Sequence, residues 1–593
     1  MRIAVDVLLP KALPAGSRVP AVLVQTRYWR AMELRPPFSW FLKMATNPAY
    51  VRFLVEHGFA VVETDVRGTG ASEGTRPYPV SEQEVRDGAD VVDWIVQQEW
   101  SDGRVLTWGN SYTGITSELA LSLGHPAVKG GVVMHDPWDF YEDVIFPGGA
   151  YNRGFTQLWS DLGKGLDSTR GEGLRAFAPV KPLFAKLVPK VVRGVKPVGG
   201  DRTDLARVAK IHEGNSYPEN YSDAVTFRDD AAEVAGANAG GATSPASPAS
   251  ATGLRTIDDI SVAARAAGIR ASGVPMFSWG SWQDSSTAEV VVRRFLNYDN
   301  PHVAVVGDWD HQNKFRASPF FGPKAKSQIS RDGKVAAWAA FYRQVLDGNF
   351  PTDLRALFYY TMGEERWKKT TTWPPLGTTA VPWYLSPGRT LSKAPLGPGS
   401  SGEDRYRVDF SATTGKRNRW YTLLSLPVHY PDREKMDQRL LTYESDPLGK
   451  PMEITGHPVA VLHLATDRDD GMVQVILELV DPSGRVHYLT DGQLRFLHRK
   501  VRDDPPYRVP RPYHSFRRED ALEVVPGEFM ELVVPLHPTS VVVPAGWRLR
   551  LASAGADADT FARYPREGDA TFTVARDEDR PSRLELPTRK RGV

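Results

Sequence analysis

Short apolar runs alternate with longer amphipathic stretches in two parts of the chain, residues 1–140 and 268–352. Runs of about four to eight apolar residues are typical of buried strands, whereas apolar positions repeating every 3.6 residues or so are typical of helices. The apolar runs are Ala21–Val24, Phe59–Thr64, Arg104–Trp108, Val128–Met134, Val274–Trp279 and Val303–Val306. Their alternation with helices predicts a mostly parallel sheet with helices on both faces.

Residues 141–267 interrupt this alternation and read as an insertion. Helix-like segments lie near 159–166, 174–192 and 204–212, and no strand is evident between them. The stretch 231–253 is rich in Ala, Gly, Ser and Pro, a composition that does not build a core and favours a flexible loop. We therefore expect a helical cap inserted into the sheet-containing domain.

Residues 353–593 have a third pattern, of short alternating segments separated by Pro, Gly and Asp turns. Such segments include Val459–Leu464, Val473–Val480, Phe529–Val534 and Trp547–Ala552. This pattern predicts an all-β sandwich or jelly roll. The predicted division is thus 1–140 and 268–352 for an α/β core, 141–267 for the cap and 353–593 for a β-domain.

Composition excludes several classes of function. A formal charge of +2 over 593 residues gives no basic field for nucleic acid or an anionic membrane, and the absence of cysteine excludes thiol nucleophiles and thiolate metal sites. Asp6 and Pro10 interrupt the apolar start, which therefore reads as a first strand rather than a signal peptide. We expect a cytoplasmic protein. Because the sequence begins within a predicted strand, a short N-terminal segment before Met1 is an open alternative.

Two serines lie in glycine-bounded motifs. Gly70–Gly74, around Ser72, is a literal G-x-S-x-G, whereas the motif around Ser111 has its second glycine one residue late, at Gly114. A nucleophilic serine of this type needs a strand, a strained turn and then a helix. Ser111 has a strand-like run before it and a helix-like run after it, while Ser72 is followed by prolines. The context therefore favours Ser111 as the nucleophile and a turn at Ser72.

The matching acid and base are predicted from chain order. In the α/β-hydrolase arrangement the acid and then the histidine follow the serine, on loops after later strands. Asp284 follows the predicted strand 274–279, and His311 follows the strand 303–306. Asp308 and Asp310 are alternative acids, but as close neighbours of His311 they are expected to shape its loop. A metal site built on these three residues lacks a further ligand, so no metal or cofactor is predicted.

The oxyanion formed in such a reaction needs two hydrogen-bond donors. One is expected to be the backbone N–H of Tyr112, the residue after the nucleophile. The segment after the strand 21–24 has no glycine run to supply the second, and the Tyr28 hydroxyl is a candidate. Candidates for an apolar acyl pocket, each equally consistent with core packing, are Trp138, Trp159, Trp282 and Trp309.

Taken together, these motifs resemble the CocE/NonD hydrolases, the group of cocaine esterase, X-Pro dipeptidyl-peptidases and α-amino-acid ester hydrolases. The resemblance rests on the elbow at Ser111, Arg27-Tyr28, the segment Asp65–Gly74, and the late Asp284 and His311, and it continues through Gly527–Thr539 and Pro544–Leu551. It implies an α/β-hydrolase core, a helical cap and a C-terminal jelly roll. It also implies a triad of Ser111, Asp284 and His311 with oxyanion donors at Tyr28 and Tyr112.

The chain differs from part of the family in the region that recognises the substrate. The α-amino-acid ester hydrolases carry carboxylates two and three residues beyond the catalytic acid, where this chain has Ser286 and Thr287. Asp139 or Asp143 remains to bind a substrate ammonium, and one carboxylate does so weakly in water.

We therefore predict a serine hydrolase that acts on small carboxylic esters, and amides remain an alternative substrate class. The alternatives are an X-Pro-type dipeptidyl-peptidase or α-amino acyl hydrolase and, from another class, a non-catalytic glycan-binding protein. Homo-oligomer formation stays open.

Overall fold

The computed structural model describes residues 1–11, 13–37, 48–168, 191–195, 198, 201–232, 256–424 and 427–590. The predicted flexible loop and most of the predicted helix at 174–192 lie outside these residues. Within them, no helix has the length and apolar composition needed to cross a bilayer.

A nine-stranded sheet forms the first part of the molecule, in the order β1-β4-β2-β5-β6-β8-β9-β10-β11. The first eleven strands along the chain are β1 (Val5–Leu8), β2 (Val19–Thr26), β3 (Met32–Leu34), β4 (Ala60–Asp65), β5 (Ser101–Asn110), β6 (Val128–Met134), β7 (Val192–Gly194), β8 (Met276–Ser281), β9 (His302–Gly307), β10 (Arg355–Thr361) and β11 (Arg366–Thr370). Pairing is parallel from β4 through β10, and the edge strands β1 and β11 pair antiparallel. The parallel sheet expected from the alternating pattern is confirmed.

Helices cover both faces of this sheet and form the cap. They are α1 (Ala49–Glu56), α2 (Glu82–Val96), α3 (Tyr112–Ser122), α4 (Arg153–Asp167), α5 (Arg202–Ile211), α6 (Glu219–Ser222), α7 (Ala266–Ser272), α8 (Thr287–Asn297) and α9 (Arg331–Leu346), and a further helix, α10 (Glu434–Asp437), lies in the β-domain. A π-helical turn, Tyr141–Ile145, leads into the cap. Ser81 caps α2 by accepting a hydrogen bond from the Glu84 backbone N–H.

The remaining thirteen strands form a second, branched sheet of the β-domain. They are β12 (Thr378–Ser386), β13 (Thr390–Ser392), β14 (Glu403–Arg407), β15 (Leu441–Ser445), β16 (Met452–Gly456), β17 (Val459–Thr466), β18 (Met472–Val480), β19 (Val486–Arg495), β20 (Met530–Pro535), β21 (Thr539–Val543), β22 (Arg548–Ala554), β23 (Thr571–Ala575) and β24 (Arg583–Arg589). A single buried core contains side chains from both the first sheet and this β-domain.

The structure differs from the sequence expectations at two places. β10 and β11, which the sequence assigned to the β-domain beginning at 353, extend the first sheet beyond β9. The cap was expected to lack strands, but β7 pairs antiparallel with β3. The short apolar run of β10 specifies a strand without specifying the strand that it pairs with, and β7, with the sequence Val-Arg-Gly, is too short to show an apolar pattern.

Candidate active site

Ser111 lies in a strained turn between β5 and α3. Its φ of 63° and ψ of −126° fall in a region that non-glycine residues rarely adopt. The turn is tight, because a Cβ at Gly109 would lie 1.8 Å from the Thr113 carbonyl oxygen and one at Gly114 would lie 2.8 Å from that of Met134. The late glycine of this motif is therefore required by the close approach of α3 to β6.

Ser72, the serine of the literal motif, is tied to the backbone of the sheet edge. Its hydroxyl donates to the Asp65 carbonyl at 2.6 Å and accepts from the Ala4 N–H at 2.9 Å. Gly68, Gly70 and Gly74 all have positive φ, as expected of a turn. The Ser72 side chain is fully buried and holds this turn.

The predicted acid and base come together at the carboxyl ends of β8 and β9. His311 Nδ1 lies 3.1 Å from Asp284 Oδ1 and 3.0 Å from Oδ2. His311 Nε2 is buried and has no hydrogen-bond partner among the described residues. His311 and Ser111 line the same cavity.

Asp284 is held as a buried carboxylate. Burial alone would raise its pKa, but the charge of His311 and hydrogen bonds from His135 and His311 outweigh that effect and hold the pKa below its ordinary value. Asp284 therefore stays ionised and can orient the His311 ring and stabilise an imidazolium.

His135 is a second histidine on Asp284, and the sequence analysis did not select it. Its Nδ1 lies 2.6 Å from Asp284 Oδ2, and its Nε2 lies 3.0 Å from Asn313 Oδ1. It precedes Asp284 in the chain, so the expected order of serine, acid and histidine does not point to it. Its position directly after β6 was the signal, since the carboxyl ends of parallel strands meet at one edge of a sheet.

Asp308 and Asp310 shape the loop that carries His311. Asp310 Oδ1 accepts hydrogen bonds from the backbone N–H groups of Lys314 and Phe315, at 2.7 and 3.2 Å. Asp308 pairs with Arg316 and with Gln328.

The described residues contain one cluster whose ligand atoms are close enough for a metal ion, His135, Asp284 and His311, with these atoms within 4.8 Å of one another. Both imidazoles approach the carboxylate directly at hydrogen-bonding distance, so their Nδ1 atoms are already engaged. The donor set therefore suits hydrogen bonding better than zinc, which needs N and O ligands at about 2.0 to 2.2 Å.

The two tyrosines proposed for the oxyanion present different groups. The Tyr28 hydroxyl accepts a hydrogen bond from Trp159 Nε1 at 2.9 Å, which leaves its own proton to be donated. Burial raises the pKa of Tyr28, so the phenol stays protonated. The Tyr112 hydroxyl donates to Glu84 Oε1 at 2.7 Å, and its backbone N–H lies in the first turn of α3, where N–H groups lack intrahelical acceptors.

A cavity of about 300 Å³ opens in front of Ser111, and its wall is largely apolar. It is lined by Tyr28, Trp29, Met32, Asn110, Ser111, Tyr112, Ile115, Pro137, Phe140, Val144, Phe155, Trp159, Leu162, Leu166, His311 and Gln312. No acidic side chain occurs among these described lining residues. The cavity therefore offers a neutral, apolar environment to whatever group Ser111 receives.

Of the four tryptophans suggested for this pocket, Trp159 lines it and the other three lie elsewhere. Trp138, Trp282 and Trp309 are buried, with their indole N–H groups bonded to Tyr298 Oη, the Tyr360 carbonyl and the Gly280 carbonyl.

The carboxylates considered for an ammonium group are engaged in buried ion pairs. Asp139 pairs with Arg228, and Asp143 with Arg293. Burial raises the pKa of Asp143 to about 6 even though Arg293 opposes it. Neither carboxylate reaches the cavity wall.

Comparison with known proteins identifies the family. The X-Pro dipeptidyl-peptidase (S15) family matches residues 1–190, and the X-Pro dipeptidyl-peptidase C-terminal non-catalytic domain matches 349–585. The protein named "Putative serine esterase" of Mycobacterium tuberculosis is 39% identical over 604 residues, covering 99% of this chain and 93% of the relative. The cocaine esterase of a Rhodococcus species is 26% identical over 635 residues, covering 100% of this chain and 97% of the relative. The chain belongs to the CocE/NonD family of serine hydrolases.

Solved structures have the same fold as this CocE/NonD hydrolase over nearly its whole length. A CocE/NonD hydrolase of Staphylococcus aureus aligns with a TM-score of 0.66 at 16% identity, covering 99% of this chain and 91% of the other. An α-amino acid ester hydrolase aligns with a TM-score of 0.64 at 20% identity, covering 99% and 94%. The predicted hydrolase core and β-rich C-terminal domain are confirmed, and the protein is a serine hydrolase that acts on a small molecule or peptide.

Proposed function

We propose that this hydrolase cleaves carboxylic esters of neutral, apolar acyl groups through an acyl-Ser111 intermediate. The observation that carries the proposal is the arrangement around one cavity. Ser111, in a strained turn, and His311, whose Nδ1 is bonded to Asp284 and whose Nε2 has no partner among the described residues, line one largely apolar cavity without acidic lining residues.

The mechanism follows from these positions. His311 Nε2 takes the proton as Ser111 Oγ attacks the ester carbonyl carbon, and the developing oxyanion is stabilised by the Tyr28 hydroxyl and the Tyr112 N–H. The tetrahedral intermediate expels the alcohol, which receives the proton from His311. Water, deprotonated by His311, then attacks the acyl-enzyme and releases the acid. Asp284 keeps the ring in one orientation throughout.

A fluorophosphonate probe tests the nucleophile. We expect it to label the wild type and Ser72→Ala but not Ser111→Ala, because Ser72 Oγ is committed to the backbone. Labelling that persists in Ser111→Ala and disappears in Ser72→Ala contradicts the assignment. Because both variants remove one serine hydroxyl, Ser72→Ala is the matched control.

A second candidate is an X-Pro-type dipeptidyl-peptidase or α-amino acyl hydrolase, favoured by the match to the S15 family over residues 1–190. Such an enzyme must bind a substrate ammonium. The ion pairs of Asp139 and Asp143 weigh against it. p-Nitrophenyl butyrate and benzoate beside p-nitrophenyl alaninate, and Gly-Pro and Ala-Pro anilides, separate the two candidates. Preference for the amine-bearing substrates contradicts the neutral-acyl proposal.

The sequence-based expectations of a cytoplasmic location and of no nucleic-acid or membrane partner remain proposals, and the oligomeric state stays open.

A further inference from the structure

The carboxylate of Asp284 has two imidazole partners where the proposed mechanism uses one. It is fully buried and accepts from His311 Nδ1 and His135 Nδ1, with the Thr287 hydroxyl at 3.4 Å from Oδ2. No arginine or lysine of the described chain is hydrogen-bonded to it. A buried carboxylate is costly unless hydrogen bonds or an opposite charge stabilise it. The second imidazole therefore contributes to the stability and orientation of the ionised Asp284.

The backbone holds His135 at this place. His135 has a φ of 51° and its contact residue Asn313 a φ of 55°, both in the left-handed region. The His135 N–H also donates to the Trp279 carbonyl at 2.9 Å. A positive φ is uncommon for residues other than glycine, and here it occurs at two residues that meet beside the triad.

We propose that His135 is a positioning residue of the catalytic acid. It donates Nδ1–H to Asp284 Oδ2, fixes the carboxylate plane for His311, and lowers the basicity that Asp284 confers on His311. The proposal rests on the proposed function, since it requires His311 to be the base.

Asn313 fixes the His135 ring from the other side. Its side chain contacts His135 Nε2 at 3.0 Å, while Lys334 Nζ donates to its backbone carbonyl and to Ser327 Oγ. With the ring bonded at both nitrogens, Nδ1 stays directed at Asp284.

Few other ionisable groups face His135. His311 is its ring neighbour, at a centroid distance of 5.6 Å, and the Asp310 carboxylate interacts with both His135 and Asp284. Asp136, the next residue along the chain, is paired with Arg294. The ion closest in the hydrogen-bond network is therefore Asp284 itself.

Removing the donor has a predictable effect on pH dependence. Without the His135 N–H, more of the negative charge of Asp284 acts on His311 and stabilises its protonated form. Because the enzyme needs neutral His311 as the base, the acid limb of the kcat/KM profile then moves to higher pH. A purely structural role of His135 lowers activity or stability without moving this limb.

The test compares His135→Leu with His135→Asn. Asparagine is well tolerated at positive φ and places an amide N–H close to the position of Nδ1, whereas leucine removes the donor. We expect His135→Leu to lose about 10- to 100-fold in kcat and to shift the acid limb up by about one pH unit. His135→Asn should restore most of the rate and the wild-type limb. Backbone strain in the leucine variant lowers its melting temperature but does not shift the limb.

Two results overturn the inference. One is a His135→Leu enzyme with the wild-type rate and acid limb. The other is equal loss in both variants with an unchanged limb, which assigns His135 a structural role. Fluorophosphonate labelling of Ser111→Ala, run in parallel, separates this failure from failure of the nucleophile assignment, because only the latter leaves Ser111→Ala labelled.

Discussion

At the scale of single residues, Tyr28 and Tyr112 illustrate how one residue type takes two roles in one site. Their rings meet edge to face at a centroid distance of 6.1 Å, yet only the Tyr28 hydroxyl is available to the cavity. The Tyr112 hydroxyl is committed to Glu84, which is buried. The identical change, tyrosine to phenylalanine, should therefore have different effects at the two positions.

We expect Tyr28→Phe to lower kcat by about 10²- to 10³-fold with little change in KM, because one oxyanion donor is lost. Tyr112→Phe should keep kcat within a few-fold, since its donor is the backbone N–H. It should lower the free energy of unfolding by about 1 to 3 kcal/mol, because buried Glu84 loses a partner. Steady-state kinetics and denaturant unfolding of both variants check this. Equal kcat losses would remove the distinction between the two tyrosines.

The residue scale also shows what chain order can and cannot predict. Ser111, Asp284 and His311 were selected by motif and order, and the structure places Asp284 and His311 within hydrogen-bonding distance. The same rule does not point to His135, because chain order describes the residues of the triad and not those that contact it. The tryptophans were chosen by type alone, and residue type does not specify which side of a loop a ring packs on.

At the scale of elements, α4 forms one wall of the cavity. Phe155, Trp159, Leu162 and Leu166 recur at helical spacing and line the cavity, while Gln157 and Asp161 are exposed on the opposite face. Trp159 also donates to Tyr28, so the same helix shapes the pocket and orients the oxyanion donor.

Phe155→Leu should widen the pocket and raise the ratio of kcat/KM for p-nitrophenyl octanoate to that for the acetate by about tenfold, the range expected for small changes in a hydrophobic pocket. Asp161→Ala, on the outer face of α4, is the matched control and should keep the wild-type ratio. An unchanged ratio in Phe155→Leu places the acyl group elsewhere.

Element types were more predictable than element partners. The amphipathic stretches of the two α/β parts form helices such as α2 and α9, which bury one face, whereas α3 and α8 are buried on nearly all sides. The apolar pattern did not identify that β10 joins β9 rather than the β-domain, since both environments select the same short apolar run.

At the scale of the whole molecule, the cap, core and β-domain share buried contacts that respond to pH. His498 of the β-domain lies 3.1 Å from the Thr226 carbonyl in the cap, and burial lowers its pKa to about 3. Because its folded pKa is below the unfolded value of about 6.5, its stabilising contribution is complete above that pH and is lost as pH falls toward 3.

His498→Gln should therefore make stability less sensitive to acid. Between pH 6 and 4 the wild type should lose stability more steeply than the variant by about 1.4 kcal/mol per pH unit. Carboxylates with shifted pKa values, such as Glu63, contribute alike to both proteins and cancel in the difference. Melting temperatures across this range check the slope. Parallel curves for the two proteins would contradict a buried neutral His498.

The β-domain also forms hydrogen bonds to both of the loops that carry Asp284 and His311. Arg419 Nη2 donates to the Trp282 carbonyl at 2.6 Å, and the Arg419 carbonyl accepts from the Ser285 N–H at 2.8 Å, on either side of Asp284. The Thr422 hydroxyl accepts from the His311 backbone N–H at 3.2 Å. The acid and the base are thus held at their relative distance partly by a domain that contributes no reacting group.

Thr422→Val tests the contribution of this hydrogen bond, because valine has the shape of threonine but cannot accept a hydrogen bond from the His311 N–H. The buried N–H is left unpaired, which should cost about 1 to 3 kcal/mol of stability. The loosened loop should lower kcat by about tenfold, since catalysis is sensitive to sub-ångström placement of the base. Thr422→Ser keeps the hydroxyl and should remain close to wild type in kcat. If Thr422→Val keeps the wild-type kcat while losing stability, the β-domain supports folding alone, and the triad is positioned by the first sheet.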